Sequence, residues 1–323
     1  MKIIYMGTPA FAVPPLEALL ASRHQVAAVC TQPDRPAGRG HKLTPSPVKA
    51  KALEHSLPVL QPQTLRLAES KEIRSQLRNY DADIFVVAAY GLLLPKGILD
   101  MPKLACVNIH ASLLPKYRGA SPIHAALLNG DEKSGITIMH MAAGLDTGDM
   151  ILHKELDIAP DEHFPSLHDR IAVLGAEAII EALDLLESGT AQRTPQDDAL
   201  SSYAGMLKKS DAIIHWTKTS AEIVNMTRAF DPWPGSQTMY EGKPLKIWRL
   251  EEENSTGNSL LPDGFYKDAK PGTVLAVDPA KGMLIKTGNT TVWATELQGE
   301  GSKRMPAADY LRGRQVEIGA LLQ

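Results

Sequence analysis

The chain has 323 residues, more than one hydrophobic core usually organises, so two domains are expected. Hydrophobic residues make up 44% and charged residues 22%, an ordinary globular balance that excludes a disordered or fibrous class. Its 34 basic and 37 acidic residues leave a net charge of −3, so there is no global pull toward nucleic acid or membrane and any polyanion site must be local.

In chain order, short apolar runs at Ile3 to Met6, Val26 to Thr31, Ile84 to Ala89 and Ala105 to His110 predict strands. Pro14 to Ser22, Val48 to His55 and Leu65 to Tyr80 between them predict helices. This β/α alternation predicts a doubly wound, mostly parallel sheet with ligands at the carboxyl ends of its strands. Gly7-Thr8-Pro9 sits where dinucleotide folds place G-x-G-x-x-G but lacks the later glycines, which disfavours a nicotinamide or flavin site and leaves a tight strand-to-helix turn.

Residues 32–49 are too long for an ordinary connection in an α/β domain. Arg35, Arg39, Lys42 and Lys49 against Asp34 give this loop a local charge of +3. Two readings stand: an arm that orders on a phosphate backbone, or a solvated charged loop.

The run Val107-Asn108-Ile109-His110-Ala111-Ser112-Leu113-Leu114-Pro115 carries three polar side chains at alternate positions. In a strand Asn108, His110 and Ser112 share one face. A carboxamide can donate to an oxygen that becomes negative, and an imidazole can move a proton near neutral pH, so the pattern suits acyl transfer. The plainer alternative is a strand end meeting water. Asp146, between Gly144 and Gly148, offers a carboxylate on a loop tight enough to turn toward the imidazole. Arg118, ahead of a helix beginning near Ser121, is read either as an anion contact or as a structural arginine.

Gly135 to Met141 and Met150 to Leu156 predict two further strands flanking Asp146. Leu167, Ile171, Leu174, Ala178, Ala182 and Leu185 then mark one long helix, stopped by Gly189. Residues 190–208 read as a linker between a catalytic domain (1–189) and a second domain (209–323). A helix at Ser220 to Phe230 leads into short runs at Gln237 to Tyr240, Leu245 to Leu250, Thr273 to Val277, Leu284 to Thr287 and Thr291 to Leu297, which predict a small β-barrel of oligonucleotide-binding type. Glu251 to Asn258 reads as a polar loop. From Lys209 onward 14 basic and 14 acidic residues balance, so a nucleic-acid contact there must be a patch. Cys30 and Cys106 lie in apolar strands, which predicts packing in a reducing compartment with neither disulfide nor metal. No window approaches ~18 apolar residues, and Pro9, Pro14 and Pro15 interrupt any signal core. A cytoplasmic protein is expected.

Asn108, His110, Ser112 to Pro115, Arg118-Gly119 and the distant Asp146 together resemble the formyltransferase family that uses 10-formyltetrahydrofolate. Within it the chain is most similar to the branch acting on initiator methionyl-tRNA, through Gly7-Thr8-Pro9, the 31–49 loop, Ala89-Tyr90-Gly91, Leu145 to Met150 and Ala229-Phe230-Asp231-Pro232-Trp233-Pro234.

The resemblance implies a Rossmann-like catalytic domain, a linker and a barrel that helps hold tRNA, in a monomer. It implies Asn108, His110 and Asp146 as catalytic residues. Folate would lie against Tyr90, Gly91, Leu92, Leu94, Ser112, Leu113, Leu114, Pro115, Ala142 and Gly144, largely on main chain. Arg35, Arg39, Lys42 and Lys49 would meet tRNA. The methionyl amine would attack the formyl carbon, Asn108 would stabilise the oxyanion, and His110, kept cationic in part by Asp146, would support proton movement; Ser112 would shape the turn. The family's linker lysine is replaced here by Met206, with Lys208 and Lys209 nearby. The rival within the family is formyl transfer to a nucleotide sugar amine, which would leave the basic loop without a role. An RNA-binding module on a dead scaffold would not need Asn108, His110 and Asp146 together.

Overall fold

Strands buried on both faces must be apolar, and Ile3 to Met6 within the strand Lys2–Gly7 and IFVVA at Ile84–Ala88 satisfy that condition. The computed structural model describes residues 1–37, 42–66, 70–253 and 268–323, without the side chains of Ala37 and Lys42. The chain divides into two compact units: Met1–Pro122, Lys133–Asp157 and His168–Ala204; and Ile123–Glu132, Ile158–Leu167 and Gly205–Gln323.

The first unit contains β1 (Lys2–Gly7), β2 (Gln25–Cys30), β3 (Arg35–Ala37), β4 (Lys42–Thr44), β5 (Val59–Leu60), β6 (Ile84–Ala88), β7 (Ala105–His110), β8 (Arg118–Gly119), β9 (Lys133–His140), β10 (Met150–Asp157) and β11 (Tyr203–Ala204). Seven of these form one sheet in the order β10-β9-β7-β6-β1-β2-β5. Pairing is parallel from β7 through β5 and antiparallel at β9 and β10, the doubly wound arrangement expected. The chain winds outward from β1 to β2 and β5, then returns to β6 on the other side of β1. The crevice at that reversal, beside the carboxyl ends of β1, β6 and β7, is where such sheets bind ligands.

Gly7 is in the tight turn that its sequence allowed, because a Cβ there would stand 2.8 Å from the Ala12 Cβ. The helix expected from Leu65 begins later, at Lys71–Asn79. Leu65 is instead a core residue packed with Leu77, Phe85 and Ile98. The long helix Phe164–Ser188 matches the apolar stripe, with Leu167, Ile171, Ala178 and Ala182 fully buried.

The second unit holds β12 (Gln237–Tyr240), β13 (Lys243–Glu252), β14 (Val274–Asp278), β15 (Gly282–Lys286), β16 (Thr291–Gly299) and β17 (Met305–Pro306). All pairings among them are antiparallel, in the order β12-β13-β16-β15-β14 with β17 on β16. Glu251 and Glu252, expected in a loop, extend β13, while 254–258 lie outside the described residues. An open sheet would leave β12 and β14 as bare edges.

The last residues close it. Met239 N donates to the Gln323 carbonyl (2.6 Å) and Gln323 N to Met239 (3.0 Å), while Leu322 N reaches Gly272 (2.9 Å) and Val274 N reaches Ala320 (2.8 Å). Deleting residues 319–323 is therefore expected to reopen both edges. The cost is about 1 kcal/mol for each lost bond, added to the exposed surface of the buried Leu322. Amide exchange should quicken at Met239 and Val274 while the first unit keeps its protection; unchanged exchange at both would show that the tail is dispensable.

Candidate active site

β7 runs parallel to β6, with Asn108 beside Val87, and antiparallel to β9, with His110 beside Thr137. Period-two alternation places Asn108 and His110 on one face at the carboxyl end of the sheet. The Asn108 carboxamide is half-buried and makes no hydrogen bond among the described residues. His110 is only 5% exposed.

After His110 the chain folds into a tight turn. Ser112 Oγ donates to the Lys116 carbonyl at 2.6 Å, so Ser112 shapes the turn, as expected. Thr137 Oγ1 donates to the Ser112 carbonyl (2.7 Å) and accepts from Leu114 N (3.0 Å), pinning the turn to β9. Leu114 is buried, and the Leu114-Pro115 peptide is cis. The turn presents the Tyr117 carbonyl 3.0 Å from His110 Nε2. A carbonyl can only accept, so Nε2 carries the proton and Nδ1 is the basic nitrogen of the neutral ring.

Nδ1 lies 3.6 Å from Asp146 Oδ2. The structure thus joins residues 36 positions apart that sequence spacing could only nominate. Asp146 has φ +52°, and its Oδ2 also accepts from Gly119 N at 2.8 Å. Gly148 is required because a Cβ there would collide with the His140 carbonyl.

Burial lowers the His110 pKa from its ordinary 6.5, outweighing the Asp146 carboxylate and the Tyr117 carbonyl, which raise it. The resting imidazole is therefore neutral near pH 7, which corrects the expectation of a standing cation. Desolvation exceeds the attraction of a carboxylate held beyond hydrogen-bond distance.

Residues 1–183 match the family described as Formyl transferase, and residues 206–315 match Formyl transferase, C-terminal domain. Over 322 residues the chain is 48% identical to the methionyl-tRNA formyltransferase of Geobacter sulfurreducens, covering 100% of this chain and 96% of that protein. The chain belongs to the methionyl-tRNA formyltransferase family. Its fold is also that of HypX from Aquifex aeolicus, solved with tetrahydrofolic acid (TM-score 0.62, 17% identity, 96% of this chain and 47% of that one). An N-formyltransferase from Helicobacter canadensis, solved with folinic acid and dTDP-3-aminofucose, shares it as well (TM-score 0.65, 20% identity, 93% and 99%).

The remaining residues expected at the site divide by environment. Tyr90 and Leu94 are packed in the core with Cys30, Phe85 and Ile98. The Tyr90 carbonyl accepts from Thr8 Oγ1 and Gln32 Nε2, both at 3.0 Å. Gly91 is exposed with φ +76°, and a Cβ there would collide with Gln32. Leu92 and Leu113 are partly buried, Pro115 likewise, while Ala142 and Gly144 are exposed on the Asp146 loop.

β3 and β4 pair as a hairpin at the base of the basic arm. Arg39 lies outside the described residues, as does the Lys42 side chain. Arg35 Nη2 donates to Gln32 Oε1 at 2.6 Å and is otherwise exposed. Lys49 departs from expectation. Its ammonium is held by both Asp34 oxygens (2.9 and 2.7 Å) and by Gln61 Oε1 (2.8 Å), so its charge is already neutralised at the base of the arm.

Arg118, left open by the sequence, is structural: it is buried, with Nε on Gln196 Oε1 (3.0 Å) and Nη2 on Asp198 (2.7 Å). Residues 190–208, expected as a linker, are built into the first unit as far as Ala204, since β11 pairs with β8. Sequence reasoning also passed over Thr137, a fully buried hydroxyl in an apolar strand. That isolation was itself a signal that it must find partners. Gln196 and Ser202, in a polar stretch, offered none.

Elsewhere His24, Asp184 and Glu187 bring potential metal ligands within 4.8 Å of one another, but Arg23 already bonds both carboxylates.

Proposed function

We propose that this chain transfers the formyl group of 10-formyltetrahydrofolate to the α-amine of methionyl initiator tRNA, in the cytoplasm and as a monomer. Identity of 48% over the whole length to a protein of that name carries the reading. The site supports it: the Asn108 carboxamide, which makes no hydrogen bond among the described residues, can take up a carbonyl oxygen beside a neutral imidazole backed by a carboxylate. Gly91, Ala142 and Gly144 are exposed, so these residues are open to a ligand. Bound folate supplies a formyl carbon activated at N10.

Asn108 donates to the formyl oxygen as negative charge grows there, a contribution whose loss costs on the order of 10²–10³ in rate. His110 Nδ1 takes a proton as the amine becomes an amide, Asp146 stabilises the imidazolium that results, and His110 then returns that proton toward N10 as the bond between N10 and the formyl carbon breaks and tetrahydrofolate leaves. The substrate amine, with a reference pKa near ~8, needs no strong base. Ser112 to Pro115 hold the turn that aims the Tyr117 carbonyl. No covalent enzyme intermediate is required.

Residues 1–189 would carry the chemistry and the barrel from 209 onward would help hold the acceptor arm, with Arg35, Arg39 and Lys42 meeting phosphates. Replacing Arg35 and Arg39 by Ala is expected to raise KM for charged tRNA while leaving folate binding within about twofold, and to flatten the salt dependence by about one power of salt per lost phosphate contact. Equal losses on both substrates would count against the arm.

The deciding experiment incubates the purified chain with 10-formyltetrahydrofolate and either methionyl initiator tRNA or a nucleotide sugar amine. Formylmethionyl-tRNA as the favoured product is the expected result; preference for the sugar amine would overturn the proposal.

A further inference from the structure

We infer that residues 194–204 are the positioning layer of the catalytic pair, with Gln196 acting on Asp146 and Ser202 acting on His110. The inference rests on the roles given to His110 and Asp146 above. A loop carrying a non-glycine residue at φ +52° between glycines has no intrinsic reason to hold one shape. Here Gln196 Nε2 donates to the carbonyls of both Asp146 and Gly148, each at 2.8 Å. The amide cannot swing away, because its Oε1 accepts from the buried Arg118, whose other end is bonded to Asp198. The segment is anchored beside the same loop by Thr194 and Met150, which exchange backbone bonds of 2.9 Å in both directions.

The other catalytic group is held from the far end of the segment. Ser202 Oγ accepts from Tyr117 N at 2.9 Å, and Arg118 N donates to the Ser202 carbonyl at 2.8 Å. Tyr117, at φ +61°, turns its carbonyl to His110 Nε2. Fixing both faces of the Tyr117 peptide region therefore fixes the imidazole. One continuous stretch of chain thus sets the 3.6 Å separation between His110 and Asp146. At that range the interaction is purely electrostatic and weakens as soon as the loop relaxes. Asp146 is the charged group facing His110, and the Tyr117 carbonyl is its other polar neighbour.

The test uses the full-length chain. Gln196→Leu should lower kcat for formyl transfer by about 10- to 100-fold, the usual effect of misplacing a catalytic group by around 1 Å. KM for folate and for charged tRNA should stay within about twofold. The acid limb of the kcat profile should move to lower pH, because the Asp146 carboxylate raises the proton affinity of His110 and the variant weakens that influence. In an Asp146→Asn background, Gln196→Leu should add little, since its effect passes through Asp146.

Full additivity in that cycle, or a lower kcat with an unmoved acid limb, would overturn the inference and leave Gln196 as a stability contact. An Asp146→Asn variant with normal kcat would instead overturn the site assignment itself. If Gln196→Leu does not fold, Ser202→Ala removes a single oxygen and should lower kcat through His110 with the same unchanged KM values; normal kcat in that variant would equally overturn the inference.

Discussion

His110→Ala is expected to lower kcat for formylmethionyl-tRNA synthesis by on the order of 10²–10⁴, the usual contribution of a positioned acid–base group. Binding of tRNA, measured by gel shift, should be nearly unchanged, because the ring is buried against Tyr117 and Asp146 and offers no surface to a large ligand. Retained turnover would remove His110 from the mechanism. The pH dependence carries a second signature. Burial makes the ring harder to protonate than its ordinary 6.5, so in the active enzyme kcat should hold down to pH values below 6.5 and fail only as the pH drops through the lowered folded value.

Stability follows the same sign. Between those two values the unfolded chain binds the proton and the folded chain does not, so stability is full above 6.5 and declines as the pH falls. His24, His140 and His163 are lowered too, each chiefly by burial. Urea melts should therefore show stability dropping steeply below pH 6.5. His110→Ala should make that drop shallower, and an identical slope would show that His110 titrates alike in both states.

Gly119→Ala is the second large effect, and it removes no functional group. Gly119 has φ +115°, a region that residues with a side chain enter at a cost of about 1–3 kcal/mol. A Cβ would also stand 2.6 Å from the Ala204 carbonyl, which is backbone and cannot rotate aside. Relief requires β8 and β11 to part, and the Gly119 amide would then leave Asp146 Oδ2, which it holds at 2.8 Å. The expected loss is about 3 kcal/mol or more, read as a fall in Tm of about 6–12 °C, together with a lowered kcat. Gly189→Ala is the control. It shares a positive φ of +72° but has nothing within 4 Å of the new Cβ. It should lose only about 1 kcal/mol and no activity. Equal losses in the two variants would show that backbone strain alone, without the collision, accounts for Gly119.

The legible parts of the fold were those whose signal is local. Apolar runs at 3–6, 84–88 and 105–107 are strands because a strand covered on both faces must be apolar along its length. The stripe through Leu167 and Ile171 is a helix because one face of a 3.6-residue period is buried. The alternation of Asn108 and His110 likewise marks one face of a strand without reference to anything distant. Elements of two or three residues, such as β5, β8 and β11, went unread. Their only stabilisation is a partner far along the chain.

The charge state of His110 is not legible in the sequence for the same reason: proximity to a carboxylate follows from a motif, but the desolvation that outweighs it depends on everything packed around the ring. Lys49 shows the converse, a basic residue that looked available until Asp34 and Gln61 were found on its ammonium.

What the amino-acid order determined by itself is the longer strands and helices, the doubly wound sheet followed by a barrel, and the candidates Asn108, His110 and Asp146, because periodicity and side-chain chemistry act within a few residues. What only the tertiary structure decided is which groups meet and in what state. It set Nδ1 of His110 facing Asp146, turned a presumed linker into the clamp on both, and used the final residues to close the barrel. Those outcomes depend on contacts between residues far apart in the chain and on burial, which removes water from a group only when the whole fold surrounds it.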